Sequence, residues 1–366
     1  TLAAVFGIGF ALAILLGAPA IFSVMGGRGG VLDKATLFAR VLFGGAAITF
    51  VVSMLDSVLR GEGNVRVPAI WSTTSLVLQI VSTPLFMFVF GWGLVGAALA
   101  MLASQLVATV ARAVWVLGGR GLVRPAFRLD RSSLAAVREI LRVGIPAALS
   151  ASVTNVGLMA LTGVVTRLGT ADLAAYGLGT RLDFLLMSFG YGFGAAVLTL
   201  VGMAAGAGRL DRMQAFVTRA AALAVVVLGI PGLLVCWRPG LWLGLFTSDP
   251  GILAVGTQYF RIIGPTYPLI GITMVVAFAF QGLGRATVPL AVTIVRVATV
   301  LVVAILCTQR FGLGEAAVFG TIAAGNLVSA AGLAALFGVI ARRLRTGVSA
   351  RDVPGKLAAT ARATNG

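Results

Sequence analysis

Apolar runs long enough to cross a bilayer, roughly 20 residues each, recur from one end of this 366-residue chain to the other. In hydrocarbon every backbone N–H and C=O needs a partner inside the protein, which leaves helices and closed barrels as spanning structures. A barrel would show short strands of alternating polarity, and the Ala, Leu and Gly blocks here do not alternate. With hydrophobic residues at 59% and charged residues at 11%, there is too little charge to clothe a soluble globule of this size. The chain is therefore read as an all-α, polytopic membrane protein.

The hydropathy pattern predicts ten spans, near 1–26, 36–58, 67–90, 93–118, 143–167, 173–203, 214–237, 252–281, 287–308 and 316–341. The net charge of +17 would suggest nucleic acid in a soluble protein, but most Lys and Arg fall in short loops, as topology signals do. No aromatic-and-basic stripe accompanies them, so no nucleic-acid partner is expected. One set of loops carries Arg60 and Arg66, six arginines between Gly119 and Arg142, Arg209 and Arg212, Arg285 and the tail arginines. The alternate loops carry little beyond Arg28, Lys34, Arg167 and Arg310. The richer side, with the C-terminus, is expected in the cytoplasm. Cys236 and Cys307 lie apart in apolar runs and read as small hydrophobes. With no histidine in the chain, neither a zinc site nor a His-based triad is expected.

A shift of 221 residues brings spans one to four onto spans seven to ten. Arg40 falls on Arg261, Gly61 on Gly282, Gly63 on Gly284, Val67–Pro68 on Val288–Pro289, Phe90–Gly91 on Phe311–Gly312 and Gly93 on Gly314. Paired halves of this kind build two-lobed transporters around a central site. The fifth and sixth spans have no upstream mates, and the chain opens on Thr1 directly in apolar sequence. The expectation is a twelve-helix protein of which about ten helices are present, two having preceded Thr1. The expected organisation is residues 1–118 as the remainder of an N-terminal lobe, 119–142 as a basic cytoplasmic linker, 143–341 as a six-helix C-terminal lobe, and 342–366 as a basic tail.

Several loops carry a resemblance. LVGMAAGAGRLDRM (200–213), VGIPAALS (143–150), LGTADLAAYG (168–177), LRGEGNVRVP (59–68) with its mate QGLGRATVP (281–289), and GWGLVGAALA (91–100) stand in the order and spacing of the multidrug and toxic compound extrusion family. The chain resembles that family along essentially its whole length. The resemblance implies a secondary transporter of the bacterial cytoplasmic membrane, a monomer without cofactor. It would export small amphipathic or cationic molecules by alternating access in exchange for H⁺ or Na⁺, with the bilayer and its substrates as partners.

An ionisable side chain at bilayer depth costs several kcal/mol and is a functional candidate by default. Asp183 lies about 15 Å inside its span, near the midplane. Tyr176, Thr180, Asp183 and Met187 share one helical face by steps of three and four and are expected to line a polar cavity. A carboxylate there can carry a proton or help hold a cation, and the bland alternative is pairing with an arginine such as Arg181. Asp56 precedes Arg60 by one helical turn; an interfacial ion pair accounts for it, and it stands as a second coupling candidate. In the fifth span Ser150 and Ser152 can bond back to their own helix, whereas Thr154 and Asn155 are candidates for the cavity.

The sequence departs from its relatives at both coupling positions that the resemblance implies. Thr154 stands about where the sodium-coupled branch has a Glu. Gln79 and Thr83, ahead of Pro84, stand where the proton-coupled branch has an Asn and an Asp; both remain candidates for the N-terminal cavity. Arg296, inside the ninth span, is expected to snorkel to the cytoplasmic edge. A flippase for a lipid-linked saccharide is the alternative, but it would need a ring of deep arginines to hold pyrophosphate. A membrane-embedded enzyme lacks any catalytic cluster here, and a non-transporting scaffold is the remaining reading.

Overall fold

The computed structural model describes residues 2–24, 30–118 and 131–345. Residues 119–130 of the expected linker and 346–366 of the expected tail lie outside them. All regular structure among the described residues is helical. Among the described residues, eight helices are long and apolar enough to cross a membrane. A ninth crossing arises if the pair bent by 40° at Gly45 counts as one, and a shorter apolar stretch, Phe6–Pro19, lies in the first helix. The chain divides into two compact units, Thr1–Val137 and Arg138–Gly366.

The first unit holds α1 (Leu2–Val24), α2 (Gly30–Gly44), α3 (Ala46–Gly61), α4 (Arg66–Pro84) and α5 (Gly93–Leu117). The expected span 36–58 is thus a kinked pair. α6 (Arg131–Thr166) begins well before the expected start at 143. Val137, Leu141 and Gly144 share one side of it by helical spacing while Arg138 and Arg142 fall on another, so an amphipathic lead-in continues into the apolar span.

The second unit continues with α7 (Thr170–Gly206), α8 (Leu210–Trp237), the single turn α9 (Gly240–Leu243), α10 (Pro250–Ile263), α11 (Tyr267–Gly282), α12 (Thr287–Ile305) and α13 (Glu315–Arg345). α10 starts sharply: the Asp249 carboxylate accepts from the N–H groups of Gly251 and Ile252 at 2.8 and 3.1 Å, and Pro250 opens the first turn. A 3₁₀ turn at Gly264–Thr266 separates α10 from α11. Pro265 supplies no N–H there, so the expected span 252–281 is a broken helix.

The 221-residue offset recurs in the backbone. α3 and α11 are each 16 residues long and α4 and α12 each 19, with starts and ends displaced by that same offset. α3 ends in a Schellman turn: Gly63 at φ +82° donates to the Arg60 carbonyl and Asn64 to that of Leu59. In α11, Gly284 at φ +72° donates to Gln281 and Arg285 to Phe280. Both α4 and α12 run into five-residue π turns, Leu85–Val89 and Leu306–Arg310, which exit through Gly91 and Gly312 at positive φ. Pro84 precedes the first π turn and Ile305 the second, so proline is not what forces the shape.

Each unit is inside-out relative to a soluble protein. Leu16, Phe88, Trp237 and Leu245 are all more than 70% exposed. Small residues let helices approach in their place: Gly190 meets Met274 and Gly194 meets the Phe278 ring, contacts that bring α7 against α11.

Candidate functional site

The deep polar site lies within the second unit, centred on Asp183 of α7. Its two carboxylate oxygens are each occupied. Tyr259 Oη of α10 donates to Oδ2 at 2.6 Å, and Tyr267 Oη of α11 donates to Oδ1 at 2.5 Å. The donors stand on opposite sides of the Gly264–Thr266 break, so one carboxylate ties α7 to both halves of the broken helix. Charge-assisted bonds of this kind are about twice as strong as neutral ones. Arg181 is no partner of Asp183, as two-residue spacing on a helix dictates; its guanidinium lies over the Phe246 ring, 5.5 Å from the centroid.

Two glycines make the arrangement sterically possible. A Cβ on Gly179, one turn before Asp183, would stand 2.4 Å from the Tyr259 ring. A Cβ on Gly232 of α8 would stand 2.6 Å from both the Tyr267 ring and the Gly264 carbonyl oxygen. Buried aromatics complete the support: Tyr176 meets the Tyr259 ring edge-on and stacks on Phe319, and Phe319 meets Tyr259 edge-on.

Asp183 opens onto a cavity of about 320 Å³. Tyr176, Thr180 and Met187 line it beside Asp183, and Thr154 and Asn155 line it from α6. Five of the candidates read from the sequence, Thr154, Asn155, Tyr176, Thr180 and Asp183, therefore share one wall or its neighbour. Three of them bond locally: Thr154 Oγ1 donates to the Ser150 carbonyl, Asn155 Nδ2 to that of Ala151, and Thr180 Oγ1 to that of Gly177. Ser150 likewise bonds back, to Pro146. Asn155 is exposed among the residues that line the cavity.

Arg296 corrects an expectation. It does not snorkel to an edge: its side chain is only partly exposed, lines this same cavity and donates to Asn326 Oδ1 at 2.6 Å. Asn326 Nδ2 passes the chain on to Thr266 Oγ1 at 2.9 Å, and Thr266 donates to the Ile263 carbonyl at 2.7 Å. The guanidinium is within electrostatic range of Asp183. Among the described residues, Arg296 and Asp183 are the two charged ones that line the cavity.

The remaining candidates lie in the first unit. Asp56 is buried, and its nearer cation is Arg112 of α5 rather than Arg60: Arg112 Nε stands 2.6 Å from Oδ1, Arg60 Nη2 3.5 Å from Oδ2. The expected i,i+4 pair with Arg60 is present, and Arg112, which the sequence reading did not name, adds a second and more buried partner: its side chain is 1% exposed and that of Arg60 38%. The 2.6 Å Nε–Oδ1 contact makes this a close, buried ion pair. Arg112 also donates to the Pro68 carbonyl and Ser72 Oγ of α4 at 3.3 and 2.7 Å, so the pair clamps α3, α4 and α5 together. Gln79 and Thr83 are partly exposed on α4, where Thr83 Oγ1 donates to the Gln79 carbonyl at 2.7 Å.

A family model described as MatE matches residues 1–85 and 146–308, two blocks that include α6 from Pro146, α7, α10, α11 and Arg296. The chain belongs to the MatE family. This agrees with the resemblance carried by its loops. "Probable multidrug resistance protein YpnP" of Bacillus subtilis is 28% identical over 257 residues, 70% of this chain and 56% of that protein. "Probable multidrug resistance protein NorM" of Thermotoga maritima is 25% identical over 302 residues, 78% of this chain and 63% of that one. The chain thus spans less than two thirds of the length of these curated relatives. A solved structure described as the outward-facing conformation of a multidrug resistance MATE family transporter superimposes with a TM-score of 0.88 at 25% identity, covering 94% of this chain and 77% of that one. A transporter of the MOP superfamily from Pyrococcus furiosus, at 24% identity and a TM-score of 0.86, shares the fold.

Proposed function

We propose that this MatE protein is a secondary active exporter of small amphipathic compounds, driven by inward movement of H⁺ or Na⁺. Asp183 is its ion-coupling residue, and the cavity beside it holds substrate during alternating access. One observation carries the reading: a lone carboxylate, clasped by two tyrosine hydroxyls inside an apolar span, opens onto a cavity large enough for part of a drug-sized molecule. The curated relatives, described as multidrug resistance proteins, support the substrate class. The arginine-rich loops support a place in the bacterial cytoplasmic membrane with the C-terminus inside. Neutralising Asp183 from outside weakens the hold on a cationic substrate, and re-ionisation inside restores it. One inward cation supplies about 2.3 kcal/mol per 100 mV for that cycle. A pyrophosphate-holding flippase would need several cavity arginines, and the cavity lining contains one, Arg296.

The test is efflux of ethidium from cells expressing the protein or its D183N variant. Energy-dependent efflux by wild type, lost in the variant at equal membrane expression, supports the reading. Equal efflux by both removes Asp183 from coupling, and no efflux by wild type removes the exporter assignment.

A further inference from the structure

We infer that Arg296 is the residue that makes the Asp183 site accept a proton and refuse a sodium ion. The inference rests on the assignment of Asp183 as the coupling residue and adds which cation it takes and why.

The first argument is charge. Asp183 and Arg296 are the charged side chains of the cavity lining, so its formal charge sums to zero before any ion arrives. No carboxylate of the described residues forms an ion pair with Arg296, and its hydrogen bond goes to the neutral amide of Asn326. Its charge is therefore not neutralised by a nearer partner and acts on Asp183 directly. A metal cation entering here would have to leave its hydration shell beside a fixed guanidinium, with a single carboxylate to compensate it.

The second argument is the direction of the hydroxyls. A hard cation needs several oxygen lone pairs turned toward it. Tyr259 and Tyr267 turn hydrogens, not lone pairs, toward an ionised Asp183, which leaves each carboxylate oxygen one lone-pair site for an entering metal ion; turning a hydroxyl to help ligate that ion would forfeit its charge-assisted bond to the carboxylate. No group of three or more Asp, Glu, His or Cys residues close enough to hold a metal occurs among the described residues.

A proton meets neither obstacle. Once Asp183 is protonated, its carboxyl O–H becomes a donor. One tyrosine hydroxyl needs only to rotate and accept that hydrogen, while the other keeps donating to the remaining oxygen. One proton is gained, none is lost, and no heavy atom has to move. The groups facing Asp183 that hold or exchange charge are Tyr176 of its own helix, Tyr259 of α10, Tyr267 of α11 and Arg296 of α12. Of these, Arg296 alone is charged, which makes it the selectivity determinant. The Arg296–Asn326–Thr266 chain holds it in place by bonding it to the break between α10 and α11.

The experiment reads the ion at Asp183 without requiring transport. Protein in lipid nanodiscs is titrated with acid, and the infrared C=O stretch of a protonated carboxyl that is absent from D183N is followed. The titration is done in NaCl and in choline chloride of equal ionic strength. In wild type and in R296K the two curves coincide; in R296Q, NaCl displaces the proton by about a factor of ten in proton concentration, one unit of coupling. A sodium-sensitive wild-type curve overturns the inference without any variant, and a sodium-insensitive R296Q curve removes Arg296 from the role. In liposomes, ethidium movement driven by an imposed pH gradient and not by a sodium gradient supports the same conclusion. Movement under neither gradient, with the infrared result intact, counts against the exporter reading and leaves the ion preference standing.

Discussion

Gly179 and Tyr259 are in such close contact that the glycine's missing Cβ defines where the tyrosine ring sits: an added methyl would lie 2.4 Å from Cε1. Tyr259 then reaches Asp183, one helical turn further along α7, at 2.6 Å. Gly179→Ala should push the ring away and strand that hydrogen bond. The expected outcome is a loss of about 1–3 kcal/mol from overpacking, read as a lower melting temperature in detergent, with efflux falling toward the level of Tyr259→Phe. Gly177→Ala, on the same helix with open space at its Cβ, is the control and should change neither. If Gly179→Ala melts and exports like wild type, the contact does not position the tyrosine.

Asp183 is the acceptor for two tyrosine hydroxyls, and that predicts an order among its variants. Asp183→Asn keeps an acceptor oxygen and similar volume, whereas Asp183→Ala leaves both hydroxyls without their acceptor at a cost of about 1–3 kcal/mol each. Asp183→Ala should therefore melt well below Asp183→Asn although both lose energy-dependent efflux. Introducing Tyr259→Phe and Tyr267→Phe in the Asp183→Ala background should recover much of the melting temperature and none of the efflux. Equal melting of the two single variants would contradict the clasp.

Much of this fold was legible in the chain, and the reason is physical. Span length, loop arginines and the 221-residue repeat are local or periodic signals, and the Schellman glycines 63 and 284 show the repeat in the backbone itself. The face Tyr176–Thr180–Asp183–Met187 followed from helical spacing alone, since all four line one cavity. What completes the site was not legible, because Tyr259, Tyr267, Arg296 and Asn326 arrive from four other helices. A signal was present nonetheless: the chain has four tyrosines, and Tyr176, Tyr191, Tyr259 and Tyr267 all line the cavity or bond to Asp183. Arg112 escaped for the same reason, its partner Asp56 lying 56 residues away with Arg60 offering a nearer pairing in sequence.

The Arg112–Asp56 clamp should behave as a buried ion pair and the Arg60–Asp56 contact as a surface one. Asp56→Ala leaves Arg112 uncompensated at 1% side-chain exposure and should cost about 3–5 kcal/mol. Arg60→Ala should cost at most about 1 kcal/mol. The double variant Asp56→Leu with Arg112→Met removes both charges and should regain most of the melting temperature lost by Asp56→Ala. A double variant no more stable than the single one would mean that Arg112 acts chiefly through Pro68 and Ser72.

The two halves of the repeat make the last prediction, because equal backbone geometry should carry equal cost. Gly63 and Gly284 both follow their helices at clearly positive φ, and neither has an atom within 4 Å of its absent Cβ. Replacing either by alanine therefore meets no neighbour and costs only the left-handed backbone, about 1–2 kcal/mol. Gly63→Asn and Gly284→Asn should cost less than the alanine variants, since asparagine tolerates that conformation. The check is the melting temperature of the four single variants: alanine below asparagine at both sites, by similar intervals. A penalty at one site alone would show that the shared turn is set by its surroundings in one half and by the chain in the other.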